Sequence, residues 1–144
     1  MPPQKTFGEV DPNIEYVDRN AAYAVILCDV GKVAAVKGEN GYFLPGGGLH
    51  NAETAEQALV REIHEELARD VEIIREIARA TQYFYAAAES CNYRMDAVFF
   101  LATLKDECHR MPEYELHWLP LTDASQRFYH QCHVWAINQV MSSL

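Results

Sequence analysis

The segment that most constrains this chain runs from Pro45 to Leu67, where three consecutive glycines lead into an acidic helix. Glycine lets the backbone adopt conformations, and approach distances, that other residues exclude, so this turn can pass close to a ligand. Thr54 and Gln57 then have the three-residue spacing of a helix capping box. The sequence therefore predicts a helix over residues 55–67, about 20 Å long at about 1.5 Å per residue.

The predicted helix places acidic residues at the edge of its apolar face. That face consists of Leu59, Val60, Ile63 and Leu67. Glu62 and Glu66 lie at its margin, one turn apart, and Glu65 lies farther round the helix. Repulsion between carboxylates and the cost of desolvating them both grow at the edge of a core. A divalent cation such as Mg²⁺ or Mn²⁺ removes this conflict, and the alternative is a solvated acidic face.

The rest of the chain predicts strands between two helices. Apolar runs of strand length occur at residues 23–28, 33–36, 42–44, 71–88, 97–102 and 116–119. The first two runs flank a turn at residues 29–32 and predict a hairpin. Residues 123–141 predict a C-terminal helix, with apolar residues at roughly helical spacing at Phe128, Cys132, Trp135 and Ile137. This pattern predicts an α/β (α+β) fold with a mixed sheet between helices.

Length and charge narrow the class of protein. The 144 residues favour one domain covering residues 1–144, with residues 1–20 as an N-terminal arm or edge strand. Twelve basic and 21 acidic residues give a formal net charge of −9, which argues against binding a nucleic acid polymer. An anionic small molecule remains compatible with this charge when a metal cation binds with it.

The sequence also indicates a compartment. No apolar stretch reaches the roughly 20 residues of a membrane helix, and the N-terminus lacks the apolar region of a signal peptide. The wide and irregular spacing of the cysteines predicts reduced thiols rather than disulfides or a zinc site. These cysteines are Cys28, Cys91, Cys108 and Cys132. We therefore expect a cytoplasmic protein without membrane contact, as a monomer or a homodimer.

The spacing of the acidic segment resembles a known motif. From Gly47 the sequence has five residues, Glu53, seven residues, Arg61-Glu62-Ile63, one residue and Glu65-Glu66. This pattern resembles the Nudix box, G-x5-E-x7-R-E-U-x-E-E-x-G-U, in which U is a bulky aliphatic residue. The chain departs from it at Ala68, where the box has glycine, and at Arg69, where it has an aliphatic residue. Glycine at that point favours the left-handed turn that ends a helix, so its loss leaves the local chain path open.

The resemblance implies a fold, a reaction and a set of roles. It implies a Nudix-like α/β/α sandwich and hydrolysis of a nucleoside diphosphate linked to another group. It also implies that Mg²⁺ or Mn²⁺ is held by Glu62, Glu65, Glu66 and the carbonyl of Gly46. Glu53 and Arg61 then form a supporting ion pair between the loop and the helix.

The general base is left open. A carboxylate must accept the proton of the attacking water. Glu65 is one candidate, and some relatives use a glutamate from a later loop instead. The chain offers Glu107, Glu113 and Glu115 for that second role.

Candidate substrate-binding residues are Gly47 in the glycine turn, Tyr85 and Arg94. Tyr85 weakly resembles a feature of dinucleoside polyphosphate hydrolases, and the missing proline in this region disfavours ADP-ribose or NADH. The alternative is that the aromatic residues of positions 81–85 pack along a strand, and that cations such as Arg94 and Lys37 only face solvent.

A second cluster lies near the C-terminus, where His130 and His133 are one helical turn apart. A metal pair is conceivable, but no third ligand is nearby in sequence, so the pattern favours packing. We expect Cys132 to pack as well.

Two functional hypotheses follow. The first is a metal-dependent hydrolase that cleaves the diphosphate linkage of a nucleoside triphosphate, oxidised or not, or of a dinucleoside polyphosphate. The alternative is a non-catalytic Nudix domain that binds a nucleotide and regulates a partner. The intact glutamates favour the enzyme, because a protein that only binds need not keep three carboxylates together.

Overall fold

The computed structural model describes residues 2–28, 31–107 and 111–143, and only the backbone of residues 106 and 107. The strands are β1 (Gln4–Phe7), β2 (Val17–Val25), β3 (Leu27–Cys28), β4 (Lys32–Gly38), β5 (Gly41–Phe43), β6 (Gly46–Gly48), β7 (Arg69–Ala86), β8 (Cys91–Glu107) and β9 (His117–Pro120). The helices are α1 (Ala55–Leu67), α2 (Ala124–Arg127) and α3 (Gln131–Ser142), with short 3-10 turns at Ala87–Glu89 and Leu121–Asp123.

The strands form two sheets. The larger has the order β1-β7-β8-β2-β6, in which β1 pairs with β7 and β2 with β8 in parallel, while the β7–β8 and β2–β6 pairs are antiparallel. In the smaller sheet β4 pairs with β3, β5 and β9, all antiparallel. The larger sheet is therefore mixed, as expected.

Alternation along the central strands buries both sheet faces. In β2, Ala21, Tyr23 and Val25 pack into one apolar cluster, together with residues of α3. Ala22 and Ala24 point the other way and pack with Leu59 and Ile63 of α1. Successive side chains of a strand point to opposite faces, so a strand with a helix on each side is apolar throughout. The α/β/α sandwich is confirmed.

Helix α1 begins and ends where the sequence predicted. The Thr54 side chain accepts a hydrogen bond from Gln57 N–H, and the Gln57 side chain accepts one from Thr54 N–H, which completes the capping box. Ala68 ends the helix in the left-handed conformation, with φ 53° and ψ 39°. The turn expected of a box glycine is thus kept without glycine. Val60 is 43% exposed, so its assignment to the buried face was wrong.

Two predicted elements are split in the structure. The run at residues 23–28 is not one strand, because β2 ends at Val25 in the larger sheet and β3 begins at Leu27 in the smaller one. The C-terminal helix is also interrupted, between α2 and α3. There Phe128 bridges to Tyr42, and Tyr129 N–H donates to the carbonyl of Tyr42. These backbone contacts hold the segment extended.

The N-terminal segment, the cysteines and the lengths of the helices can also be compared with the predictions. Residues 1–20 contain the edge strand β1 and the start of β2. Cys28, Cys91 and Cys132 are free thiols, whereas Cys108 and positions 29 and 30 of the predicted turn lie outside the described residues. Within the described ranges, no helix is long and apolar enough to cross a membrane.

Candidate active site

The glycine strand β6 lies directly against helix α1. Gly46 N–H donates a hydrogen bond of 2.9 Å to Glu66 Oε1. Gly46 has φ 139°, and a Cβ atom at this position would overlap the carbonyl oxygen of Ala22. Only glycine is compatible with this close approach of β6 to β2. The glycine segment that was predicted as a turn is thus a short strand, and its backbone N–H contacts the Glu66 carboxylate.

Glu66 is a buried acid, with 8% of its surface exposed. Burial raises the pKa of Glu66 to about 8; the neighbouring carboxylates of Glu62, Glu113 and Glu65 act in the same direction, and the hydrogen bond from Gly46 opposes them. A buried carboxyl group that is costly to ionise, and that is surrounded by other acids, is suited to a bound cation.

Glu62 lies over Gly47. A Cβ atom on Gly47 would stand 2.8 Å from both Cδ and Oε2 of Glu62. Gly47 has no positive φ, so its backbone conformation does not require glycine. What requires glycine is the Glu62 carboxylate, which occupies the space of a side chain. The two glycines therefore position two different glutamates of α1.

Arg61 organises the loop and the acidic face. Its Nε and Nη2 atoms donate to the two carboxylate oxygens of Glu53 at 2.7 and 2.9 Å, a bidentate pair. Nη2 also donates to the carbonyl of Gly48, and Nη1 donates to Glu62 at 3.0 Å and to Glu65 at 3.3 Å. The hydrogen bonds from Arg61 and from His50 N–H hold the pKa of Glu53 at about 2. The loop is thereby tied to the helix.

The donor set fits a hard divalent cation, although it is not preassembled. Among the described residues, no three acidic, histidine or cysteine side chains stand close enough together to form a metal cluster. One carboxylate oxygen of Glu62 and one of Glu65 accept hydrogen bonds from Arg61. One carboxylate oxygen of Glu66 accepts a hydrogen bond from Gly46 N–H. The second oxygen of each carboxylate accepts no hydrogen bond from the described part of the chain. Three carboxylate oxygens on neighbouring turns are the ligands that Mg²⁺ and Mn²⁺ prefer.

The structure distinguishes among the candidate bases from later loops. Glu113 N–H donates to the carbonyl of Glu65, and Tyr114 N–H donates to the carbonyl of Glu66, so this loop lies on the C-terminal end of α1. Glu115 is 85% exposed and faces His117. The side chain of Glu107 lies outside the described residues. Of the two later-loop candidates whose side chains are described, Glu113 is the one that the fold brings to the acidic face.

Two cavities meet at this face. The first, here called the aromatic cavity, has a volume of about 240 Å³ and is bordered by Gly46, Gly47, Glu66 and the rings of Phe43, Phe84 and Tyr114. The second, here called the polar cleft, has a volume of about 640 Å³ and is bordered by Asn20, Gly48, His50, Glu53 and Glu62. The sequence does not predict the aromatic cavity, because its walls come from separate strands and loops.

The predicted substrate-binding residues are only partly brought together. Gly47 and Lys37 border the aromatic cavity. Tyr85 is 53% exposed and borders another cleft rather than the aromatic cavity, although its neighbour Phe84 borders both. Arg94 donates to Asp96 at 2.6 Å and to the hydroxyl of Tyr83 at 3.2 Å, away from the glutamates.

The histidines near the C-terminus pack, as expected. His133 is fully buried, and its Nδ1 accepts a hydrogen bond from Leu44 N–H at 3.1 Å. His130 is 5% exposed and lies between the rings of Phe84 and Tyr129. Burial lowers the pKa of His130 to about 4 and that of His133 well below its usual range. Cys132 is buried too, and burial raises the pKa of its thiol to about 12.

Comparison with known proteins agrees with this geometry. The family model described as NUDIX domain matches residues 18–136, so the chain belongs to the NUDIX family. No curated protein matches the chain. The expectation of a Nudix hydrolase is confirmed at the level of family and fold.

Several solved structures share the fold. A MutT NUDIX hydrolase from Burkholderia pseudomallei is 28% identical with a TM-score of 0.69, over 86% of this chain and 98% of that one. A NUDIX hydrolase from Nitrosomonas europaea is 16% identical with a TM-score of 0.71, over 88% and 90%. An ADP-ribose pyrophosphatase from Streptococcus suis is 21% identical with a TM-score of 0.65, over 87% and 90%.

Proposed function

We propose that this Nudix hydrolase cleaves the diphosphate linkage of a nucleoside diphosphate derivative, by metal-dependent attack of water at phosphorus. The observation that carries the proposal is the buried carboxylate of Glu66, which borders an aromatic cavity and lies beside two further glutamates. A buried acid between other acids is suited to a cation, and aromatic walls are suited to a base.

The ligands of the cation are Glu62, Glu65, Glu66 and the carbonyl of Gly46. A Mg²⁺ or Mn²⁺ ion bound there would supply positive charge to the diphosphate and activation of a water molecule. Arg61 keeps its bidentate contact with Glu53 and its bond to the carbonyl of Gly48, so the loop stays fixed while Glu62 and Glu65 are available to the ion. Gly47 lets the Glu62 carboxylate lie close to the backbone of β6.

A carboxylate near the ligands takes the proton of the attacking water. Glu65 and Glu113 are the candidates whose described positions support the role, and Glu107 stays a candidate from a later loop. Turnover by Glu113→Gln, measured at saturating Mg²⁺ and saturating substrate, separates them. If turnover slows at least about 100-fold and the metal requirement is unchanged, Glu113 is the base, whereas a small change leaves the role to Glu65 or Glu107.

The substrate we propose is a nucleoside triphosphate, oxidised or not, or a dinucleoside polyphosphate. Its base fits between the rings of the aromatic cavity. Tyr85 and Arg94 stay hypotheses for a part of the substrate that extends beyond this cavity. Small nucleotides and free thiols are both consistent with a cytoplasmic location.

The test is hydrolysis of a nucleotide panel with Mg²⁺, with Mn²⁺ and with chelator. The panel contains nucleoside triphosphates, 8-oxo-dGTP, ADP-ribose, nucleotide sugars and diadenosine polyphosphates. We expect cleavage that needs the metal and falls at least about 100-fold in Glu66→Gln. The matched control is Glu56→Gln, an exposed acid in the first turn of the same helix. Activity that survives Glu66→Gln contradicts the metal site, and nucleotide binding without any turnover favours a non-catalytic domain.

A further inference from the structure

Arg19 lies where the two cavities meet. It borders both the aromatic cavity and the polar cleft, and no other described residue borders both. It comes from β2, next to the glycine strand, and its Nε and Nη2 atoms lie 3.5 and 3.6 Å from where a Cβ of Gly48 would be. A side chain at this position faces whatever passes from one cavity to the other.

The guanidinium of Arg19 has no carboxylate partner among the described residues. Arg61, Arg79 and Arg94, in contrast, all form ion pairs. Arg19 is half-buried, and its contact is with the ring of Tyr93, 5.8 Å from Cζ to the ring centroid. What distinguishes Arg19 is its position, because it borders both cavities. Its N–H donors remain available to an anion.

We propose that Arg19 binds the diphosphate of the substrate between the two cavities. The nucleoside then occupies the aromatic cavity, and the group beyond the diphosphate extends into the polar cleft. The planar guanidinium matches phosphate oxygens with paired N–H donors. This inference rests on the proposed function only in taking a nucleoside diphosphate as the recognised unit.

The arrangement also answers an electrostatic problem. The glutamates of α1 repel a phosphate when no cation is bound, and Glu66 and Lys37 are the other charged groups that border the aromatic cavity. Lys37 is exposed on β4, whereas Arg19 is half-buried and borders both cavities. Arg19 is therefore placed to oppose this repulsion where the phosphate would lie.

The experiment measures nucleotide binding without turnover. ADP, GDP, CDP and UDP are titrated by calorimetry, in chelator, into the wild-type protein and into Arg19→Met and Arg19→Lys. Methionine keeps the apolar stem without the charge, and lysine keeps the charge without the fork. Arg75→Met is the matched control, because Arg75 is exposed, contacts Ser143 and borders neither cavity. We expect at least about 10-fold weaker binding of the preferred nucleotide in Arg19→Met, an intermediate loss in Arg19→Lys and no change in Arg75→Met.

The salt dependence of binding distinguishes the contribution of the charge of Arg19 from the contribution of its shape. The difference between wild type and Arg19→Met is expected to shrink between about 50 and 500 mM NaCl, because charges that solvent reaches become screened over this range. Binding by Arg19→Met within about twofold of the wild type overturns the proposal. So does a difference that stays the same at both salt concentrations, or a wild-type protein that binds none of the four nucleotides.

Binding and hydrolysis measured on the same variants distinguish a failure of the Arg19 role from a failure of the hydrolase function. Metal-dependent hydrolysis with unchanged binding in Arg19→Met leaves the hydrolase standing and removes the role of Arg19. Weakened binding in Arg19→Met, in a wild-type protein that hydrolyses nothing, supports the role of Arg19 and contradicts the hydrolase.

Discussion

Gly46 and Gly47 are adjacent, yet the structure requires glycine at each for a different reason. At Gly46 the backbone itself demands it, because φ is 139° and a Cβ would overlap the carbonyl of Ala22. At Gly47 the backbone is ordinary, and only the Glu62 carboxylate occupies the space of a side chain. Substitution at Gly46 therefore damages the fold, whereas substitution at Gly47 acts on the site.

Gly47→Ala is expected to displace the Glu62 carboxylate and to raise the Mg²⁺ concentration needed for half-maximal activity at least about 10-fold. The free energy of unfolding should change by less than about 1 kcal/mol, because the displaced atoms belong to the end of a flexible side chain. Metal titration of activity and thermal unfolding measure the two effects. Gly48→Ala is the control, since its Cβ would meet Arg19 at an ordinary 3.5 Å. Equal metal requirements in both variants would contradict this role of Gly47.

Ala52 sits in a conformation that glycine adopts more easily. Its φ is 68°, its side chain is exposed, and the turn around it is closed by a hydrogen bond from Glu53 N–H to the carbonyl of His50. Ala52→Gly should stabilise the protein by about 1 kcal/mol, or raise the melting temperature by about 3 °C. Ala55→Gly, in the first turn of α1, should instead destabilise by about 0.5–1 kcal/mol. Calorimetric melting of both variants checks the opposite signs.

At the scale of elements, the sequence predicts the bounds of a helix or strand correctly where the signals for those bounds are local. The bounds of α1 follow from a capping box and an apolar periodicity, which both lie within the helix itself. The breaks at Ile26 and at Phe128–His130 have no glycine or proline to mark them. They depend on partners far away in sequence, such as the backbone of Tyr42, and a pattern read along one chain does not contain that information.

The candidate site divides in the same way. Its glutamates on α1 and Glu53 in the preceding loop follow one sequence spacing, so the sequence predicts them together. The aromatic cavity joins residues from β5, β7 and the loop before β9, which meet only in the folded chain. Arg19 and Phe84 therefore carry no local signal that would assign them to a site.

Arg61 joins an element to a loop, and its fork geometry matters as much as its charge. Arg61→Lys keeps the charge but cannot hold Glu53 bidentately and reach the carbonyl of Gly48 as well. We expect kcat/KM to fall at least about 10-fold and the free energy of unfolding to fall by about 1–3 kcal/mol. Arg79→Lys disrupts a bidentate pair with Glu76 on an exposed surface, and should change neither. Steady-state kinetics and urea unfolding compare the two, and equal losses would contradict a role specific to the loop.

At the scale of the whole molecule, the core contains two neutral imidazoles. His130 and His133 lie among the rings of Phe43, Phe84 and Phe99, in the cluster that joins α3 to the larger sheet. Burial keeps the pKa of His130 near 4, below the ordinary value of about 6.5 that an unfolded histidine has. The folded and unfolded states therefore bind different numbers of protons between these two pH values, and folding is linked to pH.

The sign of this linkage follows from the direction of the shift. Above about pH 6.5 the imidazole is neutral in both states and its contribution to stability is complete. As the pH falls towards 4, the unfolded chain takes up a proton that the folded protein excludes, so stability is lost. His130 alone accounts for up to about 3 kcal/mol over this range, and His133 adds to the loss in the same direction.

In His130→Gln, the free energy of unfolding should therefore fall less steeply between about pH 6.5 and 4. The slope should correspond to a difference between unfolded and folded states that is smaller by up to one bound proton. Glutamine is expected to lower the stability at pH 7 as well. The raised pKa of Glu66 acts in the opposite direction over part of this range, but it acts equally in both proteins, so the difference between their curves isolates His130. Urea unfolding at half-unit pH steps gives both curves, and His64→Gln, on the half-exposed face of α1, is the control. Parallel curves for wild type and His130→Gln would mean that His130 is protonated to the same extent in the folded and unfolded states.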